Sequence, residues 1–208
     1  YKFSSFVRQN NIPRVVVGYD GRVSSTLLNA ELTRGLVDAG SHVTSIGLCP
    51  SPMLYYADKT LNTDGAIMIT GSHNPANYNG FKMLVRGKSL YGDSILKLAN
   101  SYKKGLDHKG QVKSFKIDES YVIEITKDIE SLGNDLNVVW DSGNGATGNI
   151  LKKILKFLPG KHFLINSKID GTFPNHHPDP TDENNLKQLK EKVLRVNADI
   201  GIAFDGDG

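Results

Sequence analysis

Ala66-Ile67-Met68-Ile69-Thr70-Gly71-Ser72-His73-Asn74-Pro75 joins two kinds of sequence. Residues 66–69 are a short apolar run that reads as a buried strand, and a polar loop bounded by Gly and Pro begins at once. A serine hydroxyl is thereby placed at the carboxyl end of a strand, where open α/β sheets put their ligand sites. A serine is a poor nucleophile unless a neighbour removes its proton or stabilises the atom it attacks. Gly71 lets the backbone approach a ligand closely, while His73 and Asn74 offer donors to phosphate oxygens. Ser72 is thus a candidate carrier of a phosphoryl group. An ordinary Gly-Ser turn closed by Asn-Pro shares this composition. The position directly after a buried strand is what separates the two readings.

Working outward, the flanking sequence alternates strand-like and helix-like segments. Arg14-Val15-Val16-Val17-Gly18-Tyr19-Asp20 is a β-branched run typical of a buried parallel strand. Ser24 or Ser25 is placed to cap a helix carrying Leu28, Leu32, Leu36 and Ala39, with Gly40 as its stop. Residues 42–48 read as a second strand, 53–60 as a short helix after Pro52, and 65–70 as the third strand. Residues 80–85 are strand-like, 86–88 a turn and 92–104 helical, whereas 105–116 are polar and weakly patterned. A domain boundary is expected near 117, giving domains 1–117 and 118–208.

The second half restarts the rhythm. Tyr121, Ile125, Ile129 and Leu132 form a helical stripe ending at Gly133, and 136–141 is a strand. Ser142-Gly143-Asn144-Gly145 turns into a helix with Ile150, Ile154, Leu155 and Leu158 inward. Residues 161–166 are another strand, followed by a long loop, 167–182, rich in Pro, His and Asp. Thr181 or Asp182 caps a helix with Leu186, Leu189 and Val193 inward, and 198–204 is the last strand. The expected fold is α/β: two consecutive α/β domains with mainly parallel mixed sheets.

Composition narrows the function classes. A net charge of +3, with Lys and Arg scattered over 208 residues, gives no argument for a nucleic-acid partner. No apolar run approaches the ~20 residues that span a bilayer, so no membrane partner is expected. The single cysteine, Cys49, permits no intrachain disulfide and reads as a buried small hydrophobe, so a reducing, cytoplasmic setting is the default expectation. The N-terminus lacks a starting Met and the chain stops within an Asp-Gly repeat, which together suggest a fragment of a larger protein.

Asp205 and Asp207 are the second candidate group. Residues two apart on extended chain point the same way, and the intervening glycine allows a sharp curl. Two hard carboxylates so placed suit Mg2+, which takes one or two carboxylates with phosphate oxygens. Asp-Gly turns share this composition. Asp20 and Asn144 read as turn and cap residues. His176 and His177 resemble metal ligands in composition, but adjacent side chains diverge, so the loop is assigned a structural or interdomain role.

Several of these segments, in order, resemble the phosphohexomutases, the phosphomannomutase/phosphoglucomutase family. They are Gly18-Tyr19-Asp20-Gly21-Arg22 with Ser24-Ser25, Thr70-Gly71-Ser72-His73-Asn74-Pro75 with Tyr78-Asn79-Gly80-Phe81-Lys82, Asp141-Ser142-Gly143-Asn144-Gly145, Phe173-Pro174-Asn175-His176-His177-Pro178-Asp179-Pro180 and Phe204-Asp205-Gly206-Asp207-Gly208. The resemblance covers essentially the whole chain and corresponds to the first two of four domains. It implies a reversible mutase acting on a hexose phosphate, mannose or glucose. Phosphorylated Ser72 would donate to a hexose 1- or 6-phosphate, a hexose 1,6-bisphosphate would reorient, and the other phosphate would return to Ser72. Mg2+ would be held by a Ser72 phosphate oxygen, Asp205 and Asp207. Lys82 matches the family lysine proposed to aid proton transfer, and His73 would orient phosphate or help move a proton. Arg22 would steady a phosphate, with Asn74 as a further phosphate donor; a structural turn arginine fits Arg22 equally. The family's third metal aspartate, its N-terminal Tyr-Asp-Ile-Arg-Gly-like segment and the sugar-reading loops are not in this sequence, so this piece alone is expected to have at most trace activity. Phosphoglucosamine mutase is the alternative within the class, and its loop usually has Ala where Gly71 stands here. A non-catalytic sugar-phosphate-binding protein is the alternative outside it. A phosphatase is disfavoured because nothing resembles a water-activating base.

Overall fold

The computed structural model describes residues 1–8, 13–100, 108–129 and 136–208. They divide into two compact α/β units. The first comprises Tyr1–Tyr19, Ser24–Thr70 and Gly80–Ile117; the second comprises Asp20–Val23, Gly71–Asn79 and Asp118–Gly208. Two short loops drawn from the first half of the sequence are therefore part of the second unit by their contacts.

In the first unit the elements run α1 (Lys2–Val7), β1 (Arg14–Tyr19), α2 (Ser25–Asp38), β2 (His42–Leu48), α3 (Ser51–Thr60), β3 (Gly65–Ile69), β4 (Phe81–Val85), β5 (Lys88–Ser89), α4 (Asp93–Asn100) and β6 (Val112–Ser114). They build a six-stranded sheet ordered β5-β4-β3-β1-β2-β6. Pairings among β3, β1, β2 and β6 are parallel; β4 runs antiparallel to β3 and β5. Val15, Val17, Ile67 and Ile69 face a core completed by Phe3 and Val7 of α1 and Leu36 of α2. On the alternate positions, a Cβ on Gly18 would meet Cys49 and Leu54 of the α3 side, so this face is filled as well. Burial on both faces is why β1 and β3 read as continuous apolar runs rather than alternating ones.

The second unit runs α5 (Asp118–Thr126), β7 (Asn137–Asp141), α6 (Gly148–Ile154), β8 (Lys161–Ile165), a 3₁₀ turn (Glu183–Leu186), α7 (Lys187–Val196) and β9 (Ile200–Ala203). Its sheet, β8-β7-β9, is wholly parallel. Asp182 caps the 3₁₀ turn by accepting from Asn184 N, and Asn197, left-handed at φ 49°, closes α7. Leu189 and Val193 of α7 pack onto β9 at Gly201, where a Cβ would lie 2.8 Å from Val193 and 3.0 Å from Leu189.

Each unit repeats one topology. A first strand sits centrally, the second pairs on one side, and the third returns to the other. Right-handed crossovers in opposite directions put successive helices on opposite faces and open a crevice at the carboxyl ends of the first and third strands.

Several boundaries differ from the sequence reading. Residues 112–114 form an edge strand that the polar stretch 105–116 concealed; all three are exposed, so no apolar pattern marks them. Helix α6 stops at Ile154, leaving Leu155 and Leu158 beyond it. Ser24 stands at the N-cap of α2, but its side chain makes no cap hydrogen bond. The expected helical residues Tyr102, Leu132 and Gly133 lie outside the described residues. Among the described residues, no helix is long and apolar enough to cross a membrane.

Leu54 is fully buried. Leu54→Ala should destabilise the first unit by about 2–5 kcal/mol through lost transfer energy and a residual cavity, read as a lower urea midpoint at unchanged slope.

Candidate functional site

The loops that leave β1 and β3 meet around one side chain. Asp20 follows β1 and is buried, as is Arg22 two residues later. Asp20 Oδ1 accepts from Arg22 N at 3.1 Å, and Oδ2 accepts from Arg22 Nε at 3.1 Å and from Gly71 N at 3.3 Å. The guanidinium then reaches into the Ser72 loop. Nη1 donates to Pro75 O at 2.5 Å and Tyr78 O at 3.0 Å; Nη2 donates to Ser72 O and Asn74 O, each at 2.7 Å. The ring of Phe173 lies 5.2 Å from its Cζ, a cation–π distance.

This grip shapes the loop. Asn74 N and Asn74 Nδ2 both donate to Gly71 O at 2.9 Å, and Tyr78 N donates to Pro75 O at 2.9 Å. Arg22 takes the carbonyls of Ser72, Asn74 and Tyr78 and shares that of Pro75 with Tyr78 N. A Cβ on Gly71 would lie 2.5 Å from Arg22 Cζ, so the approach requires glycine or a shift of the guanidinium. Ser72 is left-handed, at φ 49°. A non-glycine residue there is strained by about 1–3 kcal/mol and persists only where its surroundings impose it.

Ser72 Oγ donates to Asp205 Oδ2 at 2.6 Å across 133 residues of sequence. Asp205 Oδ1 accepts from Asp207 N at 3.3 Å, and Asp207 is 1% exposed. Ala146 N donates to Gly206 O at 3.0 Å, so the loop after β7 backs the loop after β9. A Cβ on Gly206 would lie 2.5 Å from Ser72 O, so these two backbones are in close contact.

The loop 167–182 closes the arrangement. His177 Nε2 lies 2.7 Å from His73 O; a carbonyl only accepts, so Nε2 carries the proton. His176 Nδ1 lies 2.9 Å from His177 O and Nε2 lies 3.0 Å from Asp141 Oδ2. Both partners accept, so this geometry suits the doubly protonated imidazolium. The bond to Asp141 raises the His176 pKa above its usual value, against the opposing effect of burial, with further help from the His177 carbonyl. Asn144, left-handed at φ 58°, ties the same loop down by donating to Lys168 O and accepting from Asn175 Nδ2, each at 2.8 Å.

Of the residues singled out from the sequence, Ser72, Asp205, Asp207, Arg22, His73 and Asn74 are gathered in this one unit. Lys82 belongs to the first unit, on β4, opposite Met68 across the antiparallel pair, and is not among them. Arg22, for which both a phosphate-steadying and a structural turn role were expected, points all five of its guanidinium N–H groups at protein oxygens. His73 contributes its carbonyl to His177, and its side chain is exposed. Asp20, Phe173 and His177 escaped the sequence reading as functional parts because each meets a residue far away in the chain: Gly71, Arg22 and His73 respectively.

Whether Mg2+ fits can be judged from the donors. They are hard oxygens: the Asp205 carboxylate, already within hydrogen-bond reach of Ser72 Oγ, and the buried Asp207 beside it. Among the described residues, no group of three or more His, Cys, Asp or Glu is gathered into a cage. The two carboxylates by themselves fit an ion that takes one or two carboxylates with phosphate oxygens.

Two α/β units, the second holding a strained serine within hydrogen-bond reach of an Asp-Gly-Asp loop, define the class: an α/β protein with a serine–carboxylate site at its strand ends. Family models describe both halves: phosphoglucomutase/phosphomannomutase, alpha/beta/alpha domain I, matches residues 2–109, and domain II of the same family matches 119–208. The chain belongs to the phosphoglucomutase/phosphomannomutase family. It is 43% identical over 198 residues to a phosphomannomutase/phosphoglucomutase of Pseudomonas putida, covering 94% of this chain and 42% of that protein. It is 38% identical over 200 residues to a probable phosphoglucosamine mutase of Methanothermobacter thermautotrophicus, covering 93% of this chain and 44% of that one. A solved phosphoglucomutase/phosphomannomutase family protein from Burkholderia thailandensis superposes with a TM-score of 0.89 at 37% identity, covering 100% of this chain and 47% of its own. The chain thus spans less than half the length of these relatives.

His176 yields a pH prediction. Its pKa is raised on folding, so the folded state binds the proton more tightly than the unfolded state. The stabilisation is complete below the unfolded value of about 6.5 and is lost as pH rises through the higher folded value. Urea midpoints of the natural protein should fall across that window, and His176→Gln should flatten the change.

Proposed function

We propose that the complete protein carrying this chain moves a phosphoryl group reversibly between O1 and O6 of a hexose phosphate, with Ser72 holding the group in transit. The observation that carries this reading is the pairing of a strained Ser72 with Asp205 at 2.6 Å, in a chain whose two halves match domains I and II of one mutase family. Relatives named phosphomannomutase/phosphoglucomutase support hexose phosphate mutase activity as the class.

In this cycle the P–Oγ bond of phosphorylated Ser72 breaks as a hydroxyl oxygen of the hexose monophosphate bonds to phosphorus, and the hydroxyl proton leaves to a base. A hexose 1,6-bisphosphate results. After it turns round, Ser72 Oγ bonds to the other phosphorus as the P–O bond to the sugar breaks, the serine proton leaves to a base, the released sugar oxygen takes up a proton, and the isomeric monophosphate departs. Asp205, which accepts the Ser72 proton in the hydrogen bond seen here, holds the hydroxyl in place for that return step. Mg2+ bound by Asp205, Asp207 and an oxygen on Ser72 would neutralise charge on the phosphoryl group. Lys82 and His73 are the proposed proton-handling residues, and Asn74 a phosphate donor. Catalysis of this type rests on placement and electrostatics more than on covalent chemistry, which is what a tightly held serine loop supplies.

Phosphoglucosamine mutase activity is the second reading, favoured by the relative of that name. Turnover of mannose, glucose and glucosamine 1-phosphates, each primed with its bisphosphate, decides between them. Intact-mass analysis of the full-length protein after incubation with glucose 1,6-bisphosphate and Mg2+ should show one phosphate, located on Ser72 and lost in Ser72→Ala. A serine that stays bare under these conditions would instead mark a sugar-phosphate-binding protein.

A further inference from the structure

We infer that Arg22 is the positioning residue for Ser72, acting through the loop's backbone rather than on any phosphate. The inference rests on the phosphoserine reading above and adds the device that aims the serine. A guanidinium has five N–H groups in a fixed planar fork. Here one goes to Asp20 and four go to the carbonyls of Ser72, Asn74, Pro75 and Tyr78, at 2.5–3.1 Å. The side chain is buried, its charge is met by Asp20, and one face is covered by Phe173. A phosphate could gain a donor from Arg22 only by stripping one from a carbonyl of the serine loop.

The grip bears directly on where Oγ points. Nη2 holds the Ser72 carbonyl at 2.7 Å, and the backbone of Gly206 closes on the same oxygen. Asp20 holds the Thr70–Gly71 peptide through Gly71 N, and Asn74 N and Nδ2 hold the Gly71 carbonyl of the peptide that precedes Ser72. The peptides before and after Ser72 are thereby both anchored, and its φ of 49° is imposed from outside. With the backbone set, Oγ falls within hydrogen-bond distance of Asp205. A lysine offers one ammonium and three rotatable donors, so it can keep the charge beside Asp20 but cannot hold four carbonyls in one plane.

The test uses the full-length enzyme and the variant Arg22→Lys, with turnover normalised to the fraction of molecules that accept phosphate on Ser72. Because displacing a reacting group by about 1 Å is enough for a loss on the order of 10²-fold, kcat per phosphorylated molecule should fall about that much. KM should stay within about threefold, since Arg22 touches no substrate. Guanidinium chloride at non-denaturing concentration should restore part of the activity of Arg22→Ala and none to Arg22→Lys. A raised KM with unchanged kcat would overturn the inference and return Arg22 to phosphate binding; unchanged kcat and KM would also overturn it. Should the variants not fold, a crystal structure of the natural enzyme with glucose 1,6-bisphosphate decides. The guanidinium remaining on the four carbonyls supports the inference, and a guanidinium turned onto a phosphate overturns it. Ser72→Ala separates the two levels: full turnover there removes the phosphoserine reading itself, whereas an inactive Ser72→Ala leaves that reading standing whatever Arg22 does.

Discussion

The buried Arg22 guanidinium is the constraint on which the serine loop depends. A tight polar loop carries carbonyls that no strand ladder can satisfy, and each one buried without a partner is destabilising. One side chain takes four of them. The charge that makes those bonds strong also has to be balanced, and Asp20 balances it from two residues away. Removing one member of such a buried pair costs about 3–5 kcal/mol, because the other is left charged and unpaired. An exposed pair such as Arg34–Glu31 is screened by water and contributes little, so the surface ion pairs do not decide the shape of the site.

The same device appears in both repeats of the topology. Asp20 directly follows the central strand β1, and Asp141 ends the central strand β7. Each buried carboxylate accepts from the backbone N–H two residues on, Arg22 N in one case and Gly143 N in the other. Each then meets a basic side chain, Arg22 or His176. In both, the carboxylate turns the chain out of the sheet and recruits a long-range partner. Asp141 draws in the loop that carries His177, and His177 fastens the His73 carbonyl. The serine loop is held by Arg22 through four carbonyls and by His177 through a fifth.

Much of the fold was legible because burial on both faces forces uninterrupted apolar strands, and Val15-Val16-Val17 and Ala66-Ile67-Met68-Ile69 carry that mark openly. The edge strand Val112–Ser114 was hidden because an exposed edge needs no apolar face. Ser72, Asp205 and Asp207 were picked out as candidates because a serine after a buried strand and an Asp-Gly-Asp curl have chemical uses, although ordinary turns share both compositions; the structure brings the three together. Arg22 was noticed but left between a phosphate and a structural turn role, since nothing local in Asp-Gly-Arg reveals which acceptors the guanidinium meets. The four carbonyls lie 50 to 56 residues away.

Local chemistry alone dictated the strand–helix rhythm, the two-domain organisation expected from it and the residue types able to carry phosphate and a divalent ion. These properties follow from side-chain periodicity and from donor and acceptor chemistry, both written in short stretches of chain. Only the tertiary structure decided that the Ser72 loop makes its contacts with the second unit, that Ser72 meets Asp205 across 133 residues, and that Arg22 faces backbone. Long-range pairing selects one acceptor among many that are chemically equivalent, and that choice is made by packing geometry rather than by residue identity.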